Sequence, residues 1–157
     1  MLKFYDYNIT DSWEVPNEVC LNFHLAECLN HCPGCFSPEL HNTTDINLVD
    51  VYEDIMIAYS NRITCVNFLG EGKNTEHEHN EFKMLCSKIH SYDFKTCLYC
   101  GRDCKIEEWM ECFDYIKIGS YKQEFGDLSK RTTNQKLFKK TNNGYIEITY
   151  LFWDDTV

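Results

Sequence analysis

Apolar and polar residues alternate along positions 19–25 (Val-Cys-Leu-Asn-Phe-His-Leu), with Val19, Leu21, Phe23 and Leu25 on one side, which predicts a β-strand. The period then changes. Thr44 or Asp45 can cap a helix running to about Ser60, in which Leu48, Tyr52, Ile55 and Tyr59 recur at helical spacing. Positions 63–68 read as a buried strand that Gly70-Glu71-Gly72 ends. A second helix is expected over 76–91, because Phe82, Leu85, Cys86 and Ile89 share one face. Strands follow over 94–99 and 115–118, with a short helix over 106–113 that contains Trp109. Near the C-terminus, 137–140 and 145–153 flank Thr141-Asn-Asn-Gly144. This reads as a hairpin, since Asn-Gly suits turns that need positive φ. Ile146, Ile148, Tyr150 and Phe152 would alternate along its second strand, and the hairpin should pack on the sheet edge or extend it.

Strands alternating with helices imply an α/β fold with a parallel sheet and right-handed crossovers. Such a sheet receives its ligand beyond the carboxyl ends of its strands. Residues 28–35, 70–72, 100–102 and 119 all follow predicted strands, so they are expected on one edge. No repeat, low-complexity tract or linker interrupts the pattern, and 1–157 reads as one domain.

Charge and composition narrow the function. The 157 residues carry a formal net charge of −10, which argues against nucleic acid as a partner because phosphate binding needs a basic face. No apolar run approaches the roughly 20 residues that span a bilayer. The N-terminal stretch lacks the pattern of a secretory leader, so a reducing, cytoplasmic setting is expected in which thiols persist. That bears on the ten cysteines.

Cys28, Cys32 and Cys35 stand in a C-x3-C-x2-C run. Iron–sulfur clusters usually take four thiolates, so a cubane held by these three keeps one iron open. Structural zinc, with His31 or His24 as a fourth ligand, and a disulfide framework are the other chemistries open to the run. Zinc sites favour C-x2-C pairs in separated knuckles, and a reducing compartment disfavours disulfides.

The cysteine run resembles that of the radical S-adenosylmethionine enzymes. Its Cys32-Pro-Gly-Cys35-Phe36 form, with the short chain, is similar to the activating proteins of the anaerobic (class III) ribonucleoside-triphosphate reductase. Asn67-Phe-Leu-Gly70-Glu71-Gly72 falls where that family carries Gly-Gly-Glu/Asp-Pro, with Leu69 for the first Gly and Gly72 for the Pro. Leu98-Tyr-Cys100-Gly101 resembles its aromatic-Thr-Gly stretch, with Cys100 for Thr. Asp114–Tyr121, Asp127-Leu and Thr132-Thr-Asn134-Gln135 resemble its strand, Gly-aromatic loop and Ser-Ser-Asn-Gln segment, with Ile118 where an acid often precedes Gly119.

The resemblance implies a small, partial (open) radical S-adenosylmethionine α/β barrel with parallel strands. It implies a [4Fe–4S] cluster on Cys28, Cys32 and Cys35, and S-adenosylmethionine at the open iron. Gly70 and Glu71 would hold the cofactor's amino group, with Phe36, Cys100, Gly101 and Gly119 completing the cofactor site. An electron from a donor such as flavodoxin or ferredoxin would release a 5′-deoxyadenosyl radical. That radical would take hydrogen from a glycine of the reductase catalytic subunit, the protein partner. Two other functions stay open. One is a different radical enzyme of this superfamily, a pyruvate formate-lyase-type activase or a small-molecule synthase. The other is a zinc-binding module without enzymatic activity.

Several further residues invite a chemical reading. Cys97, Cys100 and Cys104 form C-x2-C-x3-C, the reverse of the first run, with Cys112 as a fourth ligand if a second metal binds; core thiols are the plainer reading. His77 and His79 lie two apart on a predicted helix, a spacing that does not put both on one face, so a solvated helix start is expected. His31 lies within the cysteine loop, either beside a cluster sulfur or exposed.

Overall fold

The computed structural model describes residues 1–27 and 44–153. Seven strands form one open mixed sheet in the order β1-β2-β3-β4-β5-β6-β7, which is also their order along the chain. They are β1 (Phe4–Asp11), β2 (Val19–Leu25), β3 (Cys65–Leu69), β4 (Lys95–Tyr99), β5 (Tyr115–Ile118), β6 (Lys136–Thr141) and β7 (Gly144–Glu147). β2 to β5 are parallel; β1, β6 and β7 pair antiparallel at the two sides. The helices are α1 (Leu48–Ala58) and α2 (Glu76–His90), with a 3₁₀ turn at Glu108–Cys112.

Register explains why the central strands bury both faces. Leu21, Val66 and Thr96 lie in one row, and Phe23, Phe68 and Leu98 in another. These rows face the helices. Leu48, Tyr52 and Met56 of α1, Phe82, Leu85 and Ile89 of α2, and Trp109, Met110 and Phe113 join them in one core. Phe68 is its centre, stacked on Phe23 and edge-on to Phe82 and Phe113. The opposite face holds Cys20, Cys65, Cys97 and Tyr115, covered by Val15, Leu137 and Ile148. Sequential strands with α1 and α2 on one face are what crossovers of a single hand produce.

The structure corrects several sequence expectations. β1 was not anticipated: it is a half-exposed edge strand whose core-packed positions, Phe4, Tyr7 and Ile9, stand among polar residues. α1 begins later than expected. Asn47 sits at its N-cap without a capping bond from its own side chain, because that side chain accepts from Lys3 Nζ at 2.7 Å. The Thr44 hydroxyl donates instead to the Phe4 carbonyl. Tertiary ties to β1 thus displace the local cap. The hairpin extends the sheet, yet β7 stops at Glu147. There the Leu137 N–H donates to the Thr149 hydroxyl and its carbonyl accepts from Ile148, so the chain turns into a 3₁₀ segment (Thr149–Phe152). Ile146 and Tyr150 are consequently exposed, while Ile148 is buried. Among the described residues no helix is long and apolar enough to cross a membrane.

Candidate functional site

Because β2 to β5 are parallel, their carboxyl ends share one edge, and backbone bonds tie the loops leaving it. Gly70 N–H donates to Tyr99 O (3.2 Å), Cys100 N–H to Lys117 O (2.8 Å) and Gly119 N–H to Arg102 O (2.9 Å). Gly70 and Gly119 adopt φ of +111° and +118°, backbone that side chains strain. A Cβ on Gly119 would also lie 3.1 Å from Gln135 Cα. The Thr132-Thr-Asn134-Gln135 segment packs on this loop. Asn134 Nδ2 donates to Ser120 O, and Gln135 Nε2 and Lys117 Nζ both reach Gly119 O. The expected convergence of Gly70, Glu71, Cys100, Gly101 and Gly119 on one edge is therefore seen.

β2 delivers the chain to the same edge at Leu25, and the cysteine run follows. Cys28, Cys32, Cys35, His31 and Phe36 lie outside the described residues. His24, the other zinc-ligand candidate, bonds Asn8 Oδ1 through Nε2 at 3.1 Å across the β1–β2 pair.

Glu71 is the most constrained group of the edge. It is only 4% exposed. Its Oε2 accepts from Arg102 Nε at 3.0 Å and lies 3.0 Å from Nη2 of the same guanidinium, while its Oε1 is buried without a hydrogen-bond partner among the described residues. Arg102 Nη2 also bonds Glu107 Oε1, which accepts in addition from Trp109 Nε1 at 3.0 Å. Arg102's hydrogen bond holds the Glu107 carboxyl below its usual range. Trp109 in turn stacks on His79, with ring centroids 4.0 Å apart, and on Phe82 of α2. His79 is thus part of the packing rather than a solvated helix start, and burial lowers its pKa; His77 is exposed as expected.

Two more buried acceptors lack partners among the described residues, Asn67 Oδ1 on β3 and Asn134 Oδ1 beside Ser120. Asn67 Nδ2 donates to Asn22 Oδ1, so a polar row crosses the face opposite the helices. Of these acceptors, Glu71 Oε1 and Asn134 Oδ1 lie in the loops of this edge, where a ligand could bring N–H or O–H groups, whereas Asn67 lies within the sheet.

The second cysteine run does not converge. Strand alternation turns Cys97 to the face opposite the helices, beside Cys20 and Cys65. Cys100 turns the other way, its Sγ 3.8 Å from Cys104 Sγ, and Cys112 pairs with Cys86 beneath α2. Burial pushes the Cys97 thiol well up. Burial also raises Cys100, and the Glu71 carboxylate beside it adds to the effect. Among the described residues no group of three or more His, Cys, Asp or Glu side chains is arranged to hold a metal ion.

Sequence reasoning missed Arg102 and Glu107. The one available signal was a cation just past the Gly101 turn, on the edge that also carries Glu71. No known protein family matches the chain, and neither does any curated protein or solved structure.

Proposed function

We propose that the chain is a radical S-adenosylmethionine activase that generates a glycyl radical on the catalytic subunit of an anaerobic ribonucleotide reductase. The observation that carries this reading is the buried, half-partnered Glu71 carboxylate on the strand edge to which β2 delivers the C-x3-C-x2-C run. Sequential parallel strands with helices on one face support a partial, open barrel of the radical S-adenosylmethionine type.

On this reading Cys28, Cys32 and Cys35 hold a [4Fe–4S] cluster. The donor set suits it: three thiolates, one short of a closed site. Glu71 Oε1 would accept an N–H from the amino group of S-adenosylmethionine, and Gly70, at a φ of +111° that side chains disfavour, lets the loop turn toward it. Phe36, Cys100, Gly101 and Gly119 line the remainder. When bound, S-adenosylmethionine would supply a 5′-deoxyadenosyl radical by one-electron cleavage of its sulfonium, with methionine as the other product, and that radical would take a hydrogen atom from a glycine of the partner. The electron comes from a flavodoxin- or ferredoxin-like donor. The protein's part is to bind, orient and exclude water, and the fully buried Cys100 beneath the edge contributes to the last.

The test is anaerobic reconstitution with iron and sulfide, iron counting, and electron paramagnetic resonance of the reduced protein with and without S-adenosylmethionine. About four irons per chain are expected, with a signal that changes on adding the cofactor and is lost when Cys28, Cys32 and Cys35 are replaced by Ala. Zinc in place of iron, or a cluster indifferent to S-adenosylmethionine, overturns the proposal.

A further inference from the structure

Arg102 occupies the centre of a relay that ends on Glu71. Both Nε and Nη2 meet the same oxygen, Oε2, at 3.0 Å. That geometry consumes one face of the carboxylate and leaves the other, Oε1, buried and unpartnered among the described residues. A buried acceptor left unmade is costly, and more so for a charged group. A donor arriving at Oε1 would lift that cost, and the Cys100 thiol beside the carboxylate is only a weak one. The guanidinium is itself held. Glu107 takes its Nη2, the Trp109 indole N–H fixes Glu107, and Trp109 is wedged against His79 and Phe82 of α2. A loop carboxylate is thereby anchored to the helix layer through one planar fork, and planar forks lose less freedom per bond than a lysine would.

We infer that Arg102 is a positioning residue that sets the orientation of Glu71 so that Oε1 presents to a cationic N–H donor, the α-amino group of a bound aminoacyl sulfonium. This inference rests on the function proposed above and extends it to a residue that does not touch the ligand. Glu107 is the second member of the same device, one bond further away.

The experiment compares two probes on the reconstituted, cluster-bearing protein under anaerobic conditions: S-adenosylmethionine, and 5′-methylthioadenosine, which has the nucleoside but no amino acid. Arg102→Gln keeps an N–H for Oε2 but loses the fork and the tie to Glu107. It is expected to weaken S-adenosylmethionine binding about tenfold and methylthioadenosine binding less than about twofold. Arg102→Lys should recover part of the loss, and Glu107→Gln should give a smaller drop of the same pattern. Affinity for S-adenosylmethionine that is unchanged or tighter in Arg102→Gln overturns the inference alone. So does equal weakening of both probes, which would make Arg102 merely structural. A wild-type protein that holds its cluster yet binds no S-adenosylmethionine overturns the functional reading and this inference with it.

Discussion

On the sheet face opposite the helices, Cys20 and Cys65 near the amino ends of their strands and Cys97 at mid-strand are fully buried, packed with Val15, Leu137 and Ile148. At the carboxyl ends the chain places Glu71, Arg102 and Glu107, with an acceptor left open and two loop glycines in strained backbone. Both regions use cysteine, to different effect. The Cys65 and Cys97 thiols behave as small apolar groups, and burial drives their pKa up. At the carboxyl ends Cys100 lies beside a carboxylate and Cys104 is only half-buried. One region of such a sheet can be optimised for packing because the other carries the polar groups whose incomplete pairing recruits a ligand.

The comparison can be broken in graded ways. The largest effect belongs to the helix-side core, on which both regions depend. Phe68→Ala removes the ring shared by Phe23, Phe82 and Phe113, and should cost about 3–5 kcal/mol in urea unfolding. A cost under about 1 kcal/mol would mean that this core is not where stability resides. Next come the cysteines. Cys97→Ser puts a hydroxyl into a fully buried site and should cost about 1–3 kcal/mol, whereas Cys104→Ser at the rim should stay within about 0.5 kcal/mol. Equal costs would erase the distinction between the two regions.

Gly119→Ala tests backbone strain at the open end. With φ at +118° and Gln135 Cα 3.1 Å from the new methyl, the loss should be about 1 kcal/mol or more by thermal or urea unfolding. Gly144→Ala provides the contrast: its φ is +107°, but nothing lies within 4 Å, so only the backbone contribution remains and the loss should be smaller.

The smallest effect concerns pH. Burial holds His79 below its ordinary value of 6.5. The unfolded chain therefore takes up that proton first as pH falls. The stability contributed by neutral His79 is complete above about 6.5 and is lost as pH drops through the interval down to its folded value. His79→Phe keeps a ring on Trp109 and removes the titration. Urea midpoints of wild type and variant should draw apart, to the disadvantage of wild type, between about pH 7.5 and pH 5.5. A constant difference would indicate that His79 does not titrate in this range.

Much of the fold was legible because local periodicity reflects local geometry. β5 and α2 fall within one residue of their expected bounds, and β2 coincides with its own. β1 was illegible because an edge strand buries only part of one face, so its alternation is weak. The cap of α1 was misread because Asn47 and Thr44 bond to β1, at separations of 44 and 40 residues, rather than to their own helix. For the site, Gly70, Glu71, Cys100 and Gly119 were legible as strand-end residues. The reading of Cys97 and Cys100 as core thiols agrees with their burial, and the pleat, which sends them to opposite sides, shows why the C-x2-C-x3-C spacing does not gather them.

By itself the sequence determined which segments become strands and helices, that four strands run parallel, and which loops meet at one edge. Those properties follow from hydrophobic period and turn chemistry, both short-range. The tertiary structure alone decided which charges pair there. Arg102 meets Glu71 across 31 residues because adjacent parallel strands bring their loops side by side, and no periodicity encodes which of two carboxylate oxygens is left open.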